Sequence, residues 1–392
     1  MTSLAMELRS IANLQLGIAS VYQGSELQKF YIDGINYYLL PKAKTRQLYD
    51  AGLERVWPDV IKEFKPDLVH IHGTEYAHGL ACINATPIQK FVVSIQGMVS
   101  IYCKYYYAGI NYWELLKNVT FRDIRNRNSV FHGQKQFRLK GSLENEYLKR
   151  ITHIIGRTSW DYAHTQEVNP NSLYHKCNEV LRPQFYISEK WVLPNVNKYS
   201  VFISQAGYPI KGLHQILKAL AIVSYYFPEV SLRVAGIDIT YSRKHHGFWN
   251  LDGYGLYIKR LIKNLDLQDK ITFTGPLKEE QMINEFQNAH VYICPSSIEN
   301  SPNSIGEAQI IGTPCIASFV GGIPDMISHE RTGLLYPFEE YSMLARHIIR
   351  IFSNNELAQS LSLAGIEEAE DRHNRVKIRD KMMCIYNEII EH

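Results

Sequence analysis

Short apolar runs alternate along this chain with longer segments whose apolar residues recur every three or four positions. These are the periodicities of buried strands and amphipathic helices. Helical spacing at Leu4, Met6, Leu8 and Ile11 covers 1–13, and 15–22 reads as a strand. In 29–40, two aromatic-rich runs flank Asp33-Gly34, a strong two-residue hairpin signal. A helix is predicted over 46–64, strands over 68–72 and 91–95, and a helix over 76–84 between them. A strand over 151–156 leads into a helix opening at 157–161. The second half repeats the alternation, with strands over 200–204, 232–236 and 271–275 and helices from Leu213, over 254–265 and over 281–288. Apolar runs around Val291–Ile293 and over 315–317 are two further strands, and helices over 341–352, 356–364 and 377–390 end the chain. This grammar predicts parallel α/β sheets. The stretch 169–199 breaks it with Pro170, Pro183 and Pro194 and is assigned to an interdomain linker. The expected organisation is one α/β domain over 1–168, the linker over 169–199, a second α/β domain over 200–370, and a C-terminal helix over 371–392.

Bulk properties narrow the field. The length of 392 residues suits two domains, and 45% hydrophobic with 21% charged residues is ordinary for a globular chain. A net charge of +3 is too mild to argue for nucleic acid, and no nucleic-acid motif is present. The six cysteines are scattered without a CxxC pair and fall mostly in apolar runs, as buried reduced thiols do. No apolar stretch reaches the length of a membrane span. Between Lys104 and Arg150, tyrosines and Trp113 mix with Lys117, Arg122, Arg125, Arg127, Lys135, Arg138 and Lys140. That mixture reads either as a solvated helical face or as a surface for an anionic membrane or lipid diphosphate. The His70-Ile71-His72 pair reads as a metal pair or as a structural or acceptor-side feature, and no acidic or cysteine cluster nearby completes a metal site. His245 and His246 sit in a polar insertion read as a loop.

Candidate chemistry concentrates in 291–335, where the order is strand, loop, helix, strand, glycine turn and short helix. Ligands in parallel sheets sit beyond the carboxyl ends of the strands, and helix N-termini there suit phosphate. Glu299 lies in the loop and Glu307 in the helix beginning near Asn303 and Ser304. Carboxylates accept from hydroxyls, so the combination suggests a polyol joined to a phosphate. Lys211, in the glycine-bounded loop Gly207–Gly212, supplies a point cation ahead of another helix. Arg157 follows a strand and is read as an anion contact or as one half of a structural salt bridge. Spacing of two glutamates alone would carry no argument.

The full string does. Glu299, Glu307-Ala308, Gly312-Thr313-Pro314, Gly321-Gly322-Ile323-Pro324 and Thr332-Gly333-Leu334-Leu335 resemble the donor-sugar site of retaining GT-B glycosyltransferases, glycosyltransferase family 4 (group 1). The resemblance implies two facing Rossmann-like doubly wound domains. It implies that Glu299 holds donor hydroxyls, Glu307 the ribose, and Lys211 with the amides near Asn303 and Ser304 the diphosphate. Gly236, Pro276, Leu277 and Gly322 fall on the donor side, with Pro276 and Leu277 bordering the base, while His72 and Arg157 fall on the acceptor side. Gln96 stands where many relatives carry a histidine that touches the donor sugar. An amide there can hydrogen-bond but cannot titrate near neutral pH. Relatives also carry an arginine ahead of the lysine, and Ser204-Gln205-Ala206 has none. They begin with a strand and a glycine-rich loop before a segment like 16–41. The first domain is therefore expected to lack that strand and loop and to be less stable.

The reading is a retaining glycosyltransferase that moves a sugar from a nucleotide-diphosphate sugar to a glycan or lipid-linked glycan, in surface polysaccharide synthesis. The expected catalytic set is Glu299, Lys211 and Gln96, with no metal and no cofactor, since no DxD-like motif occurs. The expected location is cytoplasmic, with peripheral contact at the inner face of the membrane. The alternatives are a non-catalytic or truncated sugar-nucleotide-binding subunit, and an epimerase acting on the donor itself.

Overall fold

The structure is a computed structural model and describes residues 2–42, 48–241 and 251–391. The chain divides into two compact units, one formed by 1–101, 137–180 and 373–392 and the other by 102–136 and 181–372. Residues 102–136, which the sequence boundaries place in the first domain, therefore pack within the second unit.

The first unit holds two sheets. Strands β1 (Leu16–Tyr22), β2 (Gln28–Ile32) and β3 (Ile35–Pro41) are arranged in the order β1-β3-β2. The hairpin turn is present: Asp33 and Gly34 have φ of 54° and 81°, the left-handed pair that a two-residue turn needs. Strands β4 (Val69–His72), β5 (Phe91–Ser94), β6 (His153–Gly156) and β7 (Leu173–Lys176) form a second, wholly parallel sheet. Strands β1 and β4 belong to different sheets. Side chains connect them instead, with Val69 and Phe91 packing against a cluster of Tyr38, Leu40, Trp57 and Val60. The helix Arg375–Glu391 belongs to this unit: Lys90 Nζ donates to the Ile389 and Ile390 carbonyls at 3.1 and 2.7 Å, and Tyr386 OH lies 2.6 Å from His70 Nδ1. Of the helix predicted over 46–64, the described part is a 3₁₀ turn, Ala51–Arg55, and a helix, Trp57–Phe64, with Pro58 in its first turn; 46 and 47 lie outside the described residues.

In the second unit, strands β8 (Asn197–Ile203), β9 (Ser231–Val234), β10 (Ile271–Phe273), β11 (Ala289–Cys294), β12 (Cys315–Ser318) and β13 (Leu334–Tyr336) form one parallel sheet, ordered β10-β9-β8-β11-β12-β13. All six residues of β11 are buried, as expected of a central strand covered on both faces. The predicted linker is more structured than its prolines suggested. It contains β7, the helix Pro183–Ile187, where Pro183 occupies a helix-compatible first turn, and the start of β8. Trp191 donates from Nε1 to the Ala289 carbonyl at 2.8 Å and from its amide to the Ile311 carbonyl at 2.7 Å. All six cysteines are free, five of them buried and Cys384 exposed.

Two histidines in this unit make stability pH-dependent. His214 is buried, its Nε2 lies 2.9 Å from the Ala108 carbonyl, and burial pushes its pKa down to about 4. Burial, reinforced by Lys198, does the same to His290. Between about 4 and the ordinary 6.5 the unfolded chain binds more protons than the folded one. Stability is therefore full above about pH 6.5 and falls on acidification, by at most about 1.4 kcal/mol per pH unit for each such histidine. Urea midpoints measured from pH 7 down to 4.5 should show this slope, and His214→Gln should flatten it.

Candidate functional site

The site in the second unit is built where β11 ends. The loop 295–300 after it is buried at every residue. Its shape is set by backbone contacts: the Ser297 amide donates to the Ile210 carbonyl at 2.7 Å, the Ser318 hydroxyl to the Ser296 carbonyl at 2.5 Å, and the Gly322 amide to the Glu299 carbonyl at 3.0 Å. Two glycines permit this closeness. A Cβ on Gly212 would sit 1.8 Å from the Pro295 carbonyl oxygen, and one on Gly321 would sit 1.9 Å from that of Glu299; both glycines also have positive φ.

These approaches bring Lys211 to Glu299. The Nζ lies 2.6 Å from Glu299 Oε1, which also accepts from Ser296 Oγ at 2.8 Å. Burial alone would lower the lysine's pKa, but the Glu299 carboxylate and the nearby Tyr208 phenol outweigh it and hold the ammonium above its ordinary value. The Tyr208 ring lies 5.8 Å from Nζ. The adjacent Cys294 thiol is pushed up to about 12, first by burial and then by Glu299, so it stays protonated and inert.

The helix Asn303–Ile311 follows directly. Its cap residue is Pro302, with no side-chain cap. Asn303 is exposed and Ser304 half-buried, so the uncapped first turn opens outward. The expected second helix N-terminus, after Gly321-Gly322, is only the 3₁₀ turn Ile323–Asp325, too short to present a dipole. Gly322 serves instead as the backbone donor to the Glu299 carbonyl.

Glu307 and Glu299 are held by different cations. Arg182 Nε and Nη2 each donate to one Glu307 oxygen at 2.8 Å, a fork-on-fork pair on a buried carboxylate. Arg182 was not foreseen, because it lies in the stretch read as an irregular linker. The available signal was a buried-helix glutamate in need of a cation. Gly236 and Gly275 form an isolated bridge, with the Gly236 amide donating to the Gly275 carbonyl at 2.9 Å. Pro276 follows exposed and Leu277 half-buried.

The remaining expected residues lie in the first unit. Arg157 is 9% exposed and pairs with Glu179 at 2.7 Å, and its amide donates to Asp161 Oδ2 at 2.9 Å. Of the two readings of Arg157, the salt bridge is the one present. His72 stacks on His70 at 3.9 Å, and burial pushes its pKa down to about 4, leaving it neutral. His72, Ser94, Arg157, Cys177 and Glu179 line one small cavity. Gln96 follows β5 and is half-buried. Near it stands Glu75, unforeseen, whose carboxyl is pushed up by burial and accepts from the Gly97 amide. Among the described residues no group of three His, Cys, Asp or Glu side chains is placed to hold a metal, and the His245-His246 pair lies outside them.

Comparison with solved structures defines the class. The chain matches sucrose-phosphate synthase from Thermosynechococcus elongatus with a TM-score of 0.72 at 18% identity, over 99% of this chain and 92% of that one. It matches Anabaena HepE in complex with UDP-glucose with a TM-score of 0.64 at 16% identity, over 89% and 86%. The fold is that of the GT-B glycosyltransferases. Residues 185–368 match the family Glycosyl transferases group 1. A D-inositol 3-phosphate glycosyltransferase from Streptomyces scabiei is 27% identical over 162 residues, 41% of this chain and 35% of that protein. The first curated relatives are matched over 31–35% of their own lengths.

Proposed function

We propose that the protein transfers a sugar, with retention of configuration, from a nucleotide-diphosphate sugar to a hydroxyl of a glycan or lipid-linked glycan. The observation that carries this reading is the buried Lys211–Glu299 pair, held beside the open first turn of Asn303–Ile311 by the close approaches at Gly212 and Gly321. The group 1 match over 185–368 and the UDP-glucose in the HepE complex support the class of donor.

Lys211 has three N–H bonds and uses them on Glu299 and Tyr208, which leaves one for a phosphate oxygen. With the first amides of the helix at Asn303 and Ser304, it meets the negative charge that grows on the departing diphosphate. Glu299 accepts from Lys211 and Ser296 through Oε1, leaving Oε2 to accept from donor hydroxyls. Glu307, held by Arg182, is the carboxylate for the ribose hydroxyls in this reading. Gly236, Pro276, Leu277 and Gly322 line the donor side in this reading, and Gln96, His72 and Arg157 belong to the first unit. The developing oxocarbenium character is that of other glycosyl transfers. Leaving-group charge is carried by Lys211 and backbone amides, so we expect turnover without a metal. The reaction is placed in the cytoplasm, at the inner face of the membrane where the acceptor is lipid-linked, in the synthesis of a surface polysaccharide.

The test is NMR of a panel of nucleotide sugars with the protein. Release of nucleoside diphosphate with a product that keeps the donor's anomeric configuration supports the reading, and EDTA should leave the rate unchanged. Binding without turnover would favour a sugar-nucleotide-binding subunit, the reading that the non-titrating Gln96 favours. Conversion of the donor sugar without diphosphate release would indicate an epimerase. Glu307→Gln should raise the donor KM about tenfold with little change in kcat, because a ribose contact is made equally in ground and transition states.

A further inference from the structure

The helices Tyr112–Lys117 and Phe121–Asn126 bury one apolar side chain, Leu115, and otherwise turn polar groups inward. Polar residues face inward: Asn118, Thr120 and Asp123 are buried, Asp123 completely. Each is bonded within the second unit. Arg260 Nη1 donates to Asn118 Oδ1 at 2.9 Å, Thr120 Oγ1 to the Leu251 carbonyl at 2.8 Å, and the Gly253 amide to Asp123 Oδ2 at 2.9 Å. Asp123 also closes a capping box with Thr120. Apolar residues face outward, with Trp113, Phe121 and Ile124 exposed by 67%, 62% and 65% and Leu116 exposed beside them. Residues 113 and 116 share one face of the first helix, and 121 and 124 one face of the second. A solvated helix pair shows the reverse arrangement. The buried polar bonds stop these helices from rolling over to hide their apolar side.

Basic residues accompany the apolar ones. The segment 112–127 contains four basic residues (Lys117, Arg122, Arg125 and Arg127) and two acidic ones, Glu114 and the buried Asp123. Glu114 is already paired with Lys117 at 2.9 Å. Arg122 is paired with Asp252 at 3.9 Å, and the exposed Arg125 and Arg127 make the accessible charge positive. A contiguous apolar patch marks an interaction site. Tryptophan and bulky apolar residues bordered by arginine and lysine suit the boundary between lipid headgroups and acyl chains.

We propose that this face docks on an anionic lipid bilayer. Trp113, Leu116, Phe121 and Ile124 enter the headgroup boundary, and Arg125 and Arg127 meet lipid phosphates. The two six-residue helices lie on the surface and do not cross it. Among the described residues, no helix is long and apolar enough to span a membrane. Positive charge beside the apolar patch favours anionic lipid over a protein partner, whose interface core is depleted in charge. The docking face belongs to the second unit, narrower than the 104–150 surface that composition suggested. The inference is independent of sugar transfer, so vesicle binding and turnover succeed or fail separately.

The experiment is cosedimentation of the full chain with phosphatidylcholine vesicles, with and without phosphatidylglycerol. Binding should require phosphatidylglycerol and weaken as salt is raised. The variant Trp113→Ser/Phe121→Ser/Ile124→Ser should bind at least about tenfold more weakly. A second variant, Arg125→Glu/Arg127→Glu, alters two exposed side chains and should abolish the preference for phosphatidylglycerol while leaving the circular dichroism unchanged. No binding to anionic vesicles, or binding by both variants equal to that of the wild type, overturns the proposal. So does light scattering that shows a dimer lost in the apolar variant, which would give the face to a second copy.

Discussion

Lys211→Ala is expected to lower the rate of donor cleavage by about a hundred- to a thousandfold, the usual consequence of removing a preorganised donor to developing charge. It should also cost about 3 kcal/mol of stability, because Glu299 would be left buried and charged with Ser296 as its remaining hydrogen-bond donor. The two losses have different causes and can be separated. In Lys211→Met/Glu299→Gln the unpaired charge is gone, so the urea midpoint should recover most of the deficit while turnover does not. Glu299→Gln alone should also lose turnover, since an amide offers the sugar a weaker acceptor and releases Lys211 from its place. Transfer rates within about threefold of wild type for Lys211→Ala would remove the lysine from the mechanism.

Gly212→Ala is the second large effect. The glycine has a φ of 70°, and the new methyl carbon would stand 1.8 Å from the Pro295 carbonyl oxygen. The left-handed conformation alone costs an alanine about 1 kcal/mol. The collision adds more, because the obstacle is backbone beside a proline ring and cannot rotate aside. A total loss of about 3 kcal/mol is expected in thermal or urea denaturation. Gly34→Ala is the control: its φ is 81°, but nothing lies within 4 Å of the new carbon, so only the conformational part should appear. Gly212 precedes the helix Leu213–Tyr226 and follows Lys211, and relief of the clash must move the lysine relative to Glu299. Turnover should therefore fall in Gly212→Ala even at temperatures where it is fully folded.

The contrast between Lys211 and Arg182 shows what was legible in the amino-acid sequence and what was not. Lys211 and Glu299 lie in stretches where glycines, a proline and short apolar runs mark strand ends, and strand ends in a parallel sheet are where sites form. Arg182 reaches Glu307 across 125 positions from a stretch without periodicity, and local pattern holds no information about such a pair. Asp123 is similar. It reads as an ordinary first-turn acid, yet its bond to the Gly253 amide draws 102–136 into the second unit. The helix expected after Gly322 is the single 3₁₀ turn Ile323–Asp325: Pro324 suits a first turn and so announces a helix start without saying how far the helix runs. The hairpin at Asp33-Gly34 was legible because its information is local: two residues with positive φ decide it.

One consequence follows from the way the first unit is stitched from three separate stretches, the last of them 373–392. Synthesis runs from the amino end, and domains ordinarily mature in that order as they leave the ribosome. Here Glu7 and Lys90 must wait for the helix Arg375–Glu391, which supplies Arg375 and the Ile389 and Ile390 carbonyls. The first unit is thus completed only after the whole of the second has been made, and until then its strands stand without that cover.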